Sequence, residues 1–204
     1  MGAFKGKNAK WLTMVVAIAV LVVFAYISVT NKKQEKEMKE QSKEVLSEID
    51  EAIYKNLDKS YPASVREVIK YYCEVLKCMF NGEVTDKQIE QLVDKERALF
   101  DKELLKANDY GEFIENRQAE IKQYKKAKSK LVKYTVGENN HVKYWKNNGK
   151  EMASIKAHIY ISGDKYKDFS QEYTLRKDKN GKWKILAWEN VTDEKKSEND
   201  EKEK

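Results

Sequence analysis

Residues Ser154–Ile161 read SIKAHIYI. Ile155, Ala157, Ile159 and Ile161 alternate with Lys156, His158 and Tyr160, the period-2 pattern of a strand with one dry face and one wet face. Working outward, the same period recurs on both sides. Phe169, Gln171, Tyr173 and Leu175 alternate with Ser170, Glu172, Thr174 and Arg176. Upstream, Val132, Tyr134 and Val136 alternate with Lys133 and Thr135, and a short strand, His141 to Trp145, lies between turns at Gly137–Asn140 and Asn147–Gly149. Asn180-Gly181 marks a hairpin turn into a last strand, where Trp183, Ile185 and Ala187 are expected to face inward. Leu186 and Trp188 would then face outward, on the same wet side as Tyr160. An exposed Leu and Trp together call for cover, so Tyr160, Leu186 and Trp188 form the candidate interface. Three covers stand open: the chain's own stalk or tail, a second copy, or another envelope protein.

Before Leu131 the period is 3.6. Ser60-Tyr61-Pro62 opens a helix with Val65, Ile69, Tyr72, Leu76, Met79 and Phe80 on one face. Asn81-Gly82 is expected to end it, with Gly82 in a left-handed cap. Thr85 and Gln88 make a capping box for a second helix, whose stripe of Ile89, Leu92, Val93, Glu96, Leu99, Phe100, Leu104 and Leu105 runs to about Lys106. A third helix, about Glu112 to Lys128, aligns Phe113, Ile114, Arg117, Ile121 and Tyr124. Cys73 and Cys78 lie five residues apart, so a helix holds them about 140° apart and they cannot bridge. Cys73 reads as a small core residue, and Cys78 as a free thiol on the exposed side.

Further upstream, Trp11 to Thr30 is WLTMVVAIAVLVVFAYISVT, without charge, Pro or Gly. At about 1.5 Å per residue it spans about 30 Å, the hydrocarbon thickness of a bilayer. Lys5, Lys7 and Lys10 precede it, Lys32 and Lys33 follow, and no small-x-small cleavage site ends it. An uncleaved anchor is expected, inserted in membrane lipid through residues 11–30. The short, all-basic tail would stay cytoplasmic and the long C-terminal part extracytoplasmic. Residues 31–60 are rich in Glu, Lys and Gln, with Met38, Val45, Leu46, Ile49, Ile53 and Leu57 as a thin stripe, which reads as a helical stalk whose last turns join the domain. The expected organisation is therefore a tail (1–10), an anchor (11–30), a stalk (31–60), an α+β domain (61–190) and a charged tail (191–204).

The chain carries a net charge of +6. Basic residues crowd between Arg117 and Lys150, where Glu120 and Glu138 are the acidic residues after Arg117. Besides ordinary solvation, this region suits an anionic lipid or wall polymer; nucleic acid is not expected. No Gly-rich phosphate loop, nucleophile elbow or His/Glu metal spacing occurs. Of the two histidines, His141 sits beside a turn and His158 falls on the outer face of its strand, out of reach of a ligand inside. No catalytic residue, cofactor or metal is expected.

Helices followed by an antiparallel meander form an α+β pattern. The Pro62-led helix, two more helices, and strands ending in Asn180-Gly181-Lys182-Trp183-Lys184-Ile185 resemble the nuclear-transport-factor-2-like superfamily, over roughly Tyr61 to Glu189. More narrowly, YPASVREVIKYYCEVLKCMFNGEVTDKQIEQLVDKERALFDKELLKAN resembles membrane-anchored proteins of Gram-positive bacteria that carry a domain of unknown function. The resemblance implies a cone, three helices packed on a curved antiparallel sheet, and carries no functional residue over. The expected role is a membrane-anchored, extracytoplasmic binding or assembly module acting through protein–protein contacts at the cell envelope. The alternative is a small-ligand binder or enzyme using the cone cavity, with Gln171 and Tyr173 as the polar residues facing in.

Overall fold

The computed structural model describes residues 48–163 and 167–191. The expected tail, anchor, most of the stalk and the C-terminal tail lie outside these residues. Among those described, no helix is long and apolar enough to cross a membrane. The chain divides into two compact units, and the second, Val45–Lys204, holds every described residue.

Helices pack on one antiparallel sheet, an α+β fold. After a helical stretch at residues 48–54 come the helices α1 (Val65–Asn81), α2 (Asp86–Arg97), α3 (Lys102–Ala107) and α4 (Tyr110–Lys126). The strands are β1 (Lys130–Val136), β2 (Lys143–Asn147), β3 (Lys150–Ser162), β4 (Lys167–Lys177) and β5 (Trp183–Val191). Sheet order is β1-β3-β4-β5, and β2 also pairs with β3. Thus β1 takes Ala157–Ser162 and β2 takes Lys150–Ser154 along one flank of β3, while β4 covers the other. Ile155, Ala157 and Ile159 are buried as their alternation requires.

Central to the fold is α1, which touches β1, β3, β5, α2 and α4. Its start is Ser64, whose hydroxyl accepts from the Glu67 amide while Glu67 accepts from the Ser64 amide. Pro62 therefore precedes the helix rather than opening it. Gly82 is extended (φ −83°), not left-handed. Glycine is needed there because a Cβ would stand 2.6 Å from Ile49 Cδ1 and 2.9 Å from the Cys78 carbonyl. Ile49, Ala52, Ile53 and Leu57 belong to the same buried core as α1. They cover the α1 side on which Cys78 sits, so Cys78 is buried like Cys73, and both are free thiols. Burial pushes each thiol up to about 12.

The expected second helix is broken. Ala98 ends α2, and Asp101 caps α3 by accepting from the Glu103 amide. Between them the chain runs beside β5: the Ile185 amide donates to the Leu99 carbonyl at 2.8 Å, and the Asp101 amide donates to the Ile185 carbonyl at 2.7 Å. Pairing with an open sheet edge outweighs the helical continuation that the apolar stripe suggested. In β1 the register slips between Leu131 and Lys133. Val132 is the extra residue and is exposed, whereas Leu131 takes the buried position.

Candidate binding face

A second slip reverses the expected interface. Tyr173 stands opposite Trp188 and Thr174 opposite Ala187, but Leu175 stands opposite Ile185, leaving Leu186 as an unpaired extra residue. Simple alternation assumes an unbroken pleat, and a bulge shifts its phase by one. Ile185 and Trp188 consequently both face the helices, and Ala187 is exposed. The Trp188 ring lies 6.0 Å from those of Tyr72 and Phe100 and 6.4 Å from that of Tyr173. Of the three candidate residues, Trp188 belongs to the inner aromatic cluster, Leu186 is half-buried at the bulge, and Tyr160 alone lies in the polar rows of the outer face.

The outer face is built of polar cross-strand rows. Lys133, Tyr160 and Asp168 stand side by side, as do Thr135, His158 and Ser170. His158 Nδ1 is 2.8 Å from Ser170 Oγ, its Nε2 is 3.0 Å from Asp168 Oδ2, and its ring is 4.6 Å from that of Tyr160. Farther along, Ser154 donates to Glu172 at 2.8 Å, with Lys156 directly opposite Glu172. Serine, histidine and aspartate, hydrogen-bonded in series across these two rows, have the composition of a hydrolytic triad. Their setting is different. Ser170 is buried in mid-strand between His158 and Val191, so the surrounding amides are held in ladders on both flanks rather than aimed at a developing oxyanion.

Where β1 and β2 part along β3, a groove of about 430 Å³ opens. Gly137, Asn140, His141 and Val142 from the connecting loop line it with Lys143, Ile155, Lys156 and Glu172. The Gly137 amide donates to the Lys156 carbonyl at 3.0 Å and fixes the loop over β3. The groove has an apolar floor at Ile155, two lysines and one carboxylate already engaged by Ser154. The basic stretch Arg117–Lys150 is thereby divided: Arg117 is turned inward, while Lys143 lies at the groove.

Inside, the sheet and helices meet around aromatic rings. Tyr72 packs edge-on to Tyr173 at 5.5 Å, and Phe100 bridges Phe113 and Trp188. Tyr173 donates to Gln171, which donates to Asn190, so both inward polar residues are partnered. Burial, reinforced by the charge of Glu96, holds the Tyr72 phenol well above its ordinary range; burial does the same for Tyr173. Neither phenol is poised to act as a base near neutrality. Glu96 is fully buried and receives Nε and Nη2 of Arg117, whose Nη1 reaches Glu120. Burial disfavours the Arg117 charge, but Glu96 more than compensates and raises its proton affinity. Asp101 and Arg176 form a second such pair, extended by Glu103. Burial works against the Asp101 charge, yet the Arg176 hydrogen bond and the Glu103 amide hold its carboxyl below the usual range. The first pair was visible only as charges inside apolar stripes, Glu96 in one helix and Arg117 in another, and the second gave no such sign. Among the described residues no group of three or more His, Cys, Asp or Glu is placed to hold a metal ion.

The chain matches a family model described as a domain of unknown function (DUF6715) over residues 1–188. No curated protein matches it.

Proposed function

This chain belongs to the DUF6715 family, and from that premise we propose that it is a non-catalytic binding or assembly module, tethered through residues 11–30 with its N-terminus cytoplasmic and its α+β unit outside the cell membrane. The finer fold assignment, a nuclear-transport-factor-2-like cone, is part of the same reading. One observation supports the non-catalytic part of it: between sheet and helices the rings of Tyr72, Phe100, Tyr173 and Trp188 pack against one another. Recognition then falls to the polar outer face and to the groove beside it. The partner is a second copy or another envelope protein, engaged near Tyr160. A small-ligand reading is supported by the groove between β1 and β2 rather than by the interior.

The test is site-specific photo-crosslinking in intact cells from Thr135, Lys156 and Tyr160, with Lys122 on α4 as control. Discrete protein adducts from the sheet positions, absent from Lys122, are the expected result. Equal labelling from all four positions removes the sheet face as the interface. Protease added to intact protoplasts should digest the α+β unit; protection until lysis reverses the proposed orientation.

A further inference from the structure

The β2–β3 hairpin has a composition and exposure that the outer-face reading does not use. Its turn is Asn148-Gly149, both at positive φ (50° and 75°), closed by the pair Asn147–Lys150. Every residue of β2 is exposed. Tyr144 and Trp145 are 62% and 40% exposed, although most aromatic residues of this unit are packed into the core. Lys143, Lys146 and Lys150 surround them, and no acidic residue lies between Glu138 and Glu151. Those two flanking carboxylates are engaged elsewhere, Glu138 by Arg66 and Glu151 by Lys177, at 2.9 and 3.1 Å. Among the described residues none of the three lysines is in an ion pair, although Lys146 stands opposite Glu151 and Lys150 helps to hold the Asp101 carboxyl down, so positive charge stays in excess at the strand. Among the described strands β2 pairs with β3 alone, so its other backbone edge is open.

We propose that the free edge of β2 lies along the headgroup layer of an anionic bilayer. Each feature has a partner there. Tyr and Trp favour the headgroup level, where an amphipathic ring meets both water and acyl chains. Lysines are drawn to the negative surface, each strengthening association roughly fivefold. The open-edge amides can donate to lipid phosphates in a layer that still holds water, so no backbone group is stranded. Alternation puts Trp145 and Tyr144 on opposite sides of the strand, so an edge-on approach lets both rings reach the same layer. Tyr144 also packs on Trp183 at 5.8 Å, but a wall polyanion would use the lysines and leave the exposed Trp145 without a role, and for that reason lipid is the occupant inferred. The inference rests on the tethered reading above for the nearness of a membrane.

The experiment uses the full chain in nanodiscs with an environment-sensitive dye on Asn147→Cys. Cys73 and Cys78 are buried and stay unlabelled. Retention in nanodiscs after an alkaline wash reports on the tether, and dye emission reports on the hairpin, so the two readings fail separately. In discs containing phosphatidylglycerol, emission should rise at least about twofold over discs of phosphatidylcholine alone, and fall again with added salt. Trp145→Ser should abolish the rise. The triple exchange of Lys143, Lys146 and Lys150 to Gln should weaken hairpin engagement about 100-fold. All four side chains are exposed, and circular dichroism verifies that the variants stay folded. Equal emission in the two lipids overturns the proposal. A response to soluble polyglycerolphosphate that survives Trp145→Ser also overturns it, in favour of a wall polymer.

Discussion

The bulge at Leu186 makes opposite predictions for two adjacent residues. Unbroken alternation would put Ala187 in the core and Trp188 in water; the observed register does the reverse. Trp188→Glu and Ala187→Glu, compared in the unit Val45–Lys204, separate the two arrangements. Truncating a fully buried Trp costs about 3–5 kcal/mol. Trp188 is half-buried, which lowers the area contribution, but its rings face Tyr72, Phe100 and Tyr173, and each such pairing contributes about 0.5–1.5 kcal/mol beyond area. A loss of about 3 kcal/mol is the working estimate before the buried carboxylate adds to it. For a unit of this size 1 kcal/mol moves Tm by about 2–4 °C, so Trp188→Glu should lower Tm by about 6–12 °C or more. Ala187→Glu, on an exposed position, should stay within about 2 °C. Thermal melts followed by circular dichroism and calorimetry give the comparison. An Ala187→Glu unit that melts below Trp188→Glu would refute the bulged register.

Three further perturbations follow from the interior. Arg117→Met leaves Glu96 buried without its partner and should lose about 3–5 kcal/mol in denaturant titrations, whereas Glu96→Leu combined with Arg117→Met should recover most of it; equal losses would mean that the pair is not coupled. Gly82→Ala should destabilise by about 1–3 kcal/mol because its Cβ meets Ile49 and the Cys78 carbonyl, and Ile49→Ala in the same chain should add less than it does alone. Stability should also fall in alkali. The unfolded thiols ionise near about 8.5, while Cys73 and Cys78 hold their protons to about 12, so stability is full below about pH 8.5 and drops by roughly 1.4 kcal/mol per pH unit per thiol above it. Buried Tyr72 and Tyr173 steepen that decline above about pH 10. The Cys73→Ala, Cys78→Ala chain should show a shallower slope between pH 9 and 10; an unchanged slope assigns the decline to other groups.

How far the fold could be read follows from where local and long-range demands agree. On β3 the alternation from Ile155 to Ile159 is unbroken, so its faces were legible residue by residue. In β1 and β5 one unpaired residue shifts the phase, and neither Val132 nor Leu186 carries a turn-forming signature that would announce it. Leu99 and Phe100 keep helical phase with Leu92 and Val93, so their departure to the edge of β5 is decided by a partner about 85 residues away. The groove was equally hidden, because it exists only where two separate strands share one flank of β3. By contrast, Glu96 and Arg117 each sat within an apolar stripe, and two opposite charges in facing stripes are a readable sign of a buried pair.

The core membership of Ile49, Ala52, Ile53 and Leu57 has a mechanical consequence. Any load arriving along the chain from its N-terminal side reaches Ile49 first among the described core residues. Ile49 fills the space over Gly82 at the end of α1, where Asn81 also donates to the Leu131 carbonyl. Tension would therefore peel contacts one after another from the α1–β1 corner instead of shearing the sheet as a whole, and peeling yields at low force. Tugging on this unit from its leading end would loosen β1, and with it the wall of the groove, before the β3–β4–β5 ladder gives way.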